Sequence, residues 1–94
     1  MASSKISVNR ITPDKYDVTV KSSSPTSHIV TITDRDLQRL AGNALSKEKL
    51  IEFSFRFLLE REPNTSIMRS FDLSIISNYF PEYEENVKSF SDNI

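Results

Sequence analysis

The segment Ser46–Glu62 reads as one helix, and it is apolar over a wider arc than a single packing surface can cover. At about 100° per residue, Leu50, Ile51, Phe53, Phe57 and Leu58 share one broad face. Ser54 lies inside that face, where its hydroxyl is expected to bond the carbonyl one turn back and its small size lets another element approach. Glu48, Glu52, Arg56 and Glu60 form a charged stripe with i,i+4 pairing. Phe55 and Leu59 fall on the polar side, near Glu48 and Glu52. Two arrangements satisfy them. Other elements of the same chain cover both sides of the helix, or Phe55 and Leu59, with Glu52 beside them, form a homodimer or partner interface.

The chain has 94 residues, enough for one core, so a single domain spanning 1–94 is expected. Hydrophobic residues make up 37% and charged residues 27%, a globular profile. No apolar run approaches the ~20 residues of a bilayer span. The first ten residues hold no apolar signal core, and there is no cysteine; together these lead us to expect a cytoplasmic protein. The absence of cysteine also removes disulfides, thiolate metal sites and a cysteine nucleophile. The net charge of −1 weighs against nucleic acid as a partner.

The first third reads as strands. Ile6 and Val8 alternate with polar neighbours, as do Tyr16, Val18 and Val20, and Thr12-Pro13-Asp14-Lys15 supplies a turn between them. Ile11 breaks the alternation, which predicts a bulge or an early strand end. Residues 22–27 form a polar loop, and His28–Thr33 a third strand rich in β-branched residues. Thr33 then caps a short helix carrying Leu37, Leu40 and Ala41, which Gly42-Asn43 ends. Ser46 caps the central helix, with Leu45 and Leu50 as a hydrophobic staple, and Pro63 closes it. Asn64–Ser66 read as loop, and Ile67-Met68 as a turn back onto the core. A last helix is expected from Asp72, with Phe71 and Ile76 as its staple pair and Leu73, Ile75, Ile76, Tyr79 and Phe80 on its buried side. Pro81 interrupts it, and fraying is expected over 87–94, as over 1–3. The expected fold class is α+β: a small antiparallel sheet, the N-terminal hairpin plus a third strand, packed on two or three helices.

Few side chains suggest chemistry. His28, the one histidine, opens a strand after a serine-rich loop and reads as a surface or strand-end residue. Asp34 and Asp36 resemble a carboxylate pair, but helix-dipole compensation explains them equally well. A phosphate-cradling loop needs several glycines, and this chain has one. Tyr79-Phe80-Pro81-Glu82-Tyr83-Glu84-Glu85 reads either as a core anchor with a solvated acidic end or as a docking segment for a basic partner, with Tyr83 in the contact.

Two resemblances add to this. HIVTITDRDLQRL followed by SKEKLIEFSFRFLLE, within residues 28–61, resembles the ribbon-helix-helix DNA-binding family. That likeness implies a dimer whose paired strands present Ile29, Thr31 and Thr33 outward, with Leu50, Ile51, Phe57 and Leu58 in the dimer core. Glu48 then stands where the second helix should meet phosphate. Residues 28–84, through FLLEREPNTSIMRSFDLSIISNYFPEYE, are similar to a group of short, uncharacterised prokaryotic proteins that implies no activity. The functional expectation is a non-enzymatic protein-interaction module without cofactor or metal, acting through an exposed sheet edge or the Phe55/Leu59 ridge on an unidentified protein partner or a second copy. The alternative is a ribbon-helix-helix-like dimeric DNA-binding protein.

Overall fold

The computed structural model describes residues 5–93. Its sheet has four strands in the order β1-β2-β3-β4: Lys5–Arg10, Lys15–Lys21, Thr26–Thr31 and Ser70–Asp72. The helices are α1 (Asp34–Ala41), α2 (Lys47–Leu59), the single turn α3 (Ile76–Tyr79) and α4 (Tyr83–Asp92). The architecture is α+β, a small sheet packed on helices.

The alternation read in the sequence sets the faces. Tyr16, Val18, Val20, Val30 and Ile32 are buried under the helices, and Val30 stands opposite both Tyr16 and Phe71. Asp17, Thr19, Ile29 and Thr31 point to the other side. The β1–β2 connection is a hairpin. Thr12 Oγ1 accepts from the backbone N–H of Asp14 and Lys15 at 3.3 and 3.0 Å. The N–H groups of Ile11 and Thr12 both donate to Lys15 O, which is the bulge that the broken alternation signalled.

Two caps act as read. Thr33 and Ser46 accept from Asp36 N–H and Lys49 N–H, each at 3.1 Å. Gly42 ends α1 at φ 60°, ψ −131°, a conformation that a side chain disfavours. Lys47, the first residue of α2, lies almost buried. Its ammonium donates to Pro13 O at 2.7 Å and meets Asp14 at 3.1 Å and Asp34 at 2.9 Å. One side chain thus joins the hairpin turn, the start of α1 and the start of α2. Burial alone lowers its pKa, but the hydrogen bonds to Asp34 and Asp14 outweigh that and raise it.

The C-terminal third departs from the expectation. Ser70–Asp72 is a fourth strand, parallel to β3, so the sheet is mixed rather than antiparallel. Asp72 does act as a cap, accepting from Ser74 N–H at 3.2 Å, but the element it opens is a 3-10 turn over Leu73–Ile75 and then the single turn of α3. Pro81 cannot continue α3, and α4 opens beyond it. That helix runs to Asp92 instead of fraying beyond Asn86, because Tyr83 and Val87 are fully buried and Phe90 stacks on Phe53 with ring centroids 4.6 Å apart. The fraying expected at residues 1–3 lies outside the described residues.

Replacing Lys47 with Met keeps the aliphatic stem and removes three polar contacts. Because Asp14 and Asp34 are largely solvated, the expected loss is moderate, about 1–2 kcal/mol, read as a lower urea midpoint at neutral pH with an unchanged circular dichroism spectrum.

Candidate functional site

The sequence-derived candidates separate into core and surface. Phe55 is fully buried. Its ring packs against His28 of β3 (centroids 5.3 Å) and Phe71 of β4 (6.0 Å). Leu59 and Glu52 are half-buried on the same flank of α2, and Glu52 lies 3.8 Å from Arg56. Tyr83 is fully buried against α2. Phe55 and Tyr83 therefore present no surface to a partner in the folded chain. The reason for Phe55 is the fourth strand, which sequence periodicity did not reveal.

Tyr83 fits because Ser54 is small. The Ser54 hydroxyl donates to Leu50 O at 2.7 Å, as its place in the helix implied, so the Tyr83 hydroxyl is the donor in their 2.6 Å contact. Burial pushes the Tyr83 phenol up to about 12. Around it, Phe57 meets Tyr83 and Phe80 edge-on, and the Arg61 guanidinium lies 3.6 Å from the centre of the Phe57 ring. Arg61 also meets Glu82 at 3.2 Å, and Arg39 of α1 meets Glu84 at 2.8 Å. The Arg39 hydrogen bond holds Glu84 below its usual range. Two acids of the aromatic-acidic segment thus dock on arginines of this chain.

His28 is a core residue rather than a surface one, with 1% exposure. Its Nδ1–H donates to Met68 O at 2.7 Å, since a carbonyl only accepts. In the neutral ring Nε2 is left to accept from Thr26 Oγ1, 2.8 Å away. Asn64 continues the chain, donating to Thr26 Oγ1 at 2.9 Å and to Ser24 O at 2.7 Å, while Ser22 donates to Asn64 Oδ1. This network stitches the serine-rich loop to the segment after α2. Asp34 binds Lys47, and Asp36 donates its N–H to the Thr33 cap.

The exposed apolar surface lies elsewhere. Met68 is 42% and Tyr79 63% exposed. Both line a groove of about 360 Å³ together with Phe71, Ile75, Phe80 and Glu62. Tyr79 was expected in the core; α3 is only one turn long, so the wide apolar face read for it has no second turn to bury. The sequence signal that could have found the groove is the crowding of Ile67, Met68, Phe71, Ile75 and Tyr79 around the short β4, more apolar residues than three strand positions and one helical turn can cover.

The chain matches no protein-family model, no curated protein and no solved structure. The likenesses read from the sequence therefore rest on the residues alone. For the ribbon-helix-helix pattern, Ile29 and Thr31 do face the open side of the sheet. However, β3 is hydrogen-bonded to β2 on one edge and β4 on the other, and an intermolecular ribbon needs one of those edges vacated. Leu50, Ile51, Phe57 and Leu58 are all buried in the chain's own core. Among the described residues no helix is long and apolar enough to cross a membrane.

The phenol of Tyr83 sets an alkaline limit on stability. Its folded pKa is raised from 10.0 to about 12. The stabilisation is therefore complete below pH 10 and lost as pH rises through about 12, roughly 2–3 kcal/mol in all. Urea unfolding followed from pH 8 to pH 11.5 should show this fall, and Tyr83→Phe should flatten most of it. Tyr16, also raised by burial, and Lys47, raised by its bonds to Asp34 and Asp14, leave a residual slope.

Proposed function

We propose that the protein is a small non-enzymatic interaction module, and that its partner-facing surface is the groove between β4, the Ile67-Met68 segment and α3. One observation carries the reading: two of the large exposed apolar side chains, Met68 and Tyr79, converge on a single concave surface with half-buried Ile75 and Phe80. Tyrosine and methionine are enriched in protein contacts because they bury much area and adapt their shape. A groove of this size accepts one or two apolar side chains of a partner, with Glu62 placed to meet a hydrogen-bond donor beside them. The buried polar groups support a non-enzymatic role, because His28, Lys47, Ser54 and Tyr83 are engaged in holding elements together. On the cysteine-free composition we place this module in the cytoplasm.

The test is selection of short peptides from a displayed random library against the wild-type protein, with Tyr79→Asp and Met68→Asp as counter-targets. The expected result is an enriched set carrying a large apolar residue, whose affinity falls about tenfold or more on either variant, as for a central contact residue. Peptides that bind wild type and both variants equally would refute the groove as the contact surface.

A further inference from the structure

The second open surface is the outer edge of β1, and the hydrogen-bond pattern defines what that edge offers. Ile11 N–H donates to Lys15 O at 2.9 Å. In an antiparallel ladder alternate residues bond the same neighbour. Lys5, Ser7 and Asn9 therefore bond β2, in register with Lys21, Thr19 and Asp17. Ile6, Val8 and Arg10 aim their N–H and C=O groups the other way. Ile32 N–H donating to Asp14 O at 2.8 Å confirms the parity one strand further in. Among the described residues no strand pairs with this outer edge. On the helix side Ile6 and Val8 are only half-buried, whereas their partners Val20 and Val18 on β2 are fully buried.

A second copy fits this edge poorly. Antiparallel pairing through a twofold axis puts both helical layers on the same face, and β1 itself brings two cations, Lys5 and Arg10, and no acid, so the edge of a second copy cannot set an acid beside Lys5.

A lone extended strand brings no helical layer with it. Charge indicates its chemistry. Lys5 stands directly opposite Lys21 on the open face, and neither forms an ion pair among the described residues. Like charges directly opposite each other are unfavourable, and an acid beside Lys5 relieves them. We propose that the edge of β1 takes up an extended segment of another protein by strand addition, with apolar residues alternating on the helix side and an acidic residue opposite Lys5. The edge backbone supplies affinity, and the lysine pair rejects apolar strands that lack the acid. This surface is separate from the groove at Tyr79, and neither reading depends on the other.

The probe is a capped peptide, Thr-Val-Thr-Val-Glu, which in antiparallel register sets its valines opposite Val8 and Ile6 and its glutamate opposite Lys5. The readout is amide chemical shift and hydrogen exchange in the full chain. The expected result is slowed exchange at the Ile6 and Val8 amides, with no change in protection at Ser7, whose N–H already bonds β2. Exchanging the peptide glutamate for lysine should weaken binding roughly threefold to tenfold, and Lys5→Glu should reverse that preference. Val8→Pro removes an outward N–H without touching the β1–β2 ladder and should abolish binding; should that variant fail to fold, the Lys5→Glu reversal alone decides. Absence of binding at millimolar peptide, shifts confined to the Met68–Tyr79 groove, an unreversed charge preference, or protection of Ile6 and Val8 by self-association of the free protein would each overturn the proposal.

Discussion

The fold depends on covering Phe55. A helix packed on a three-stranded sheet hides about one face, and α2 carries large apolar residues beyond it. Phe55 can leave water only if a further surface closes over it, and the chain supplies that surface by bringing Ser70–Asp72 alongside β3, so that Phe71 and His28 meet the ring from two adjacent strands. The three-residue strand is too short to stand on its own propensity. It is held by that contact and by Ile29 N–H donating to Arg69 O at 2.7 Å. About 100° round α2 from Phe55, Ser54 makes the gap that admits Tyr83 and with it α4.

Using α2 this way determines which surfaces remain. The helix most apolar in sequence is largely consumed internally, with Glu52, Phe53 and Leu59 half-buried. Of the aromatic-acidic segment, Tyr83 is buried and Glu82 and Glu84 pair with Arg61 and Arg39, while Tyr79 stays exposed. Two open surfaces lie at the margins of the sheet: the groove beside β4, where one helical turn cannot cover its own apolar residues, and the edge of β1, whose outward backbone groups pair with no strand among the described residues. Both suit contacts between proteins; of the two surfaces expected from the sequence, a sheet edge and the Phe55/Leu59 ridge, the ridge is closed at Phe55.

The local features were legible because local chemistry decides them. Alternation in β1 and β2, the Thr33 and Ser46 caps, the glycine end of α1 and the Ser54 back-bond each depend on residues a few positions apart. The misread parts are those that distant residues decide. Phe71 looked like a staple for a helix, because nothing within its own segment shows that Val30 lies opposite it. His28 looked exposed because its partners, Met68 and, through Thr26, Asn64, lie far along the chain. Tyr79 looked buried because Leu73–Phe80 has helical periodicity, yet it forms a 3-10 turn and a single helical turn. The groove beside β4 belongs to the same class, because that strand is itself set by distant residues, whereas an exposed sheet edge was part of the expectation.

The most direct test of this account is the equilibrium unfolding of Phe55→Ala, with Leu59→Ala as the neighbouring control. A fully enclosed aromatic ring predicts a loss of about 3–5 kcal/mol at Phe55 and about 1 kcal/mol at half-buried Leu59, with both differences independent of protein concentration. A near-neutral Phe55→Ala, or a loss that appears only where the chains associate, would contradict it and return Phe55 to an interface between molecules.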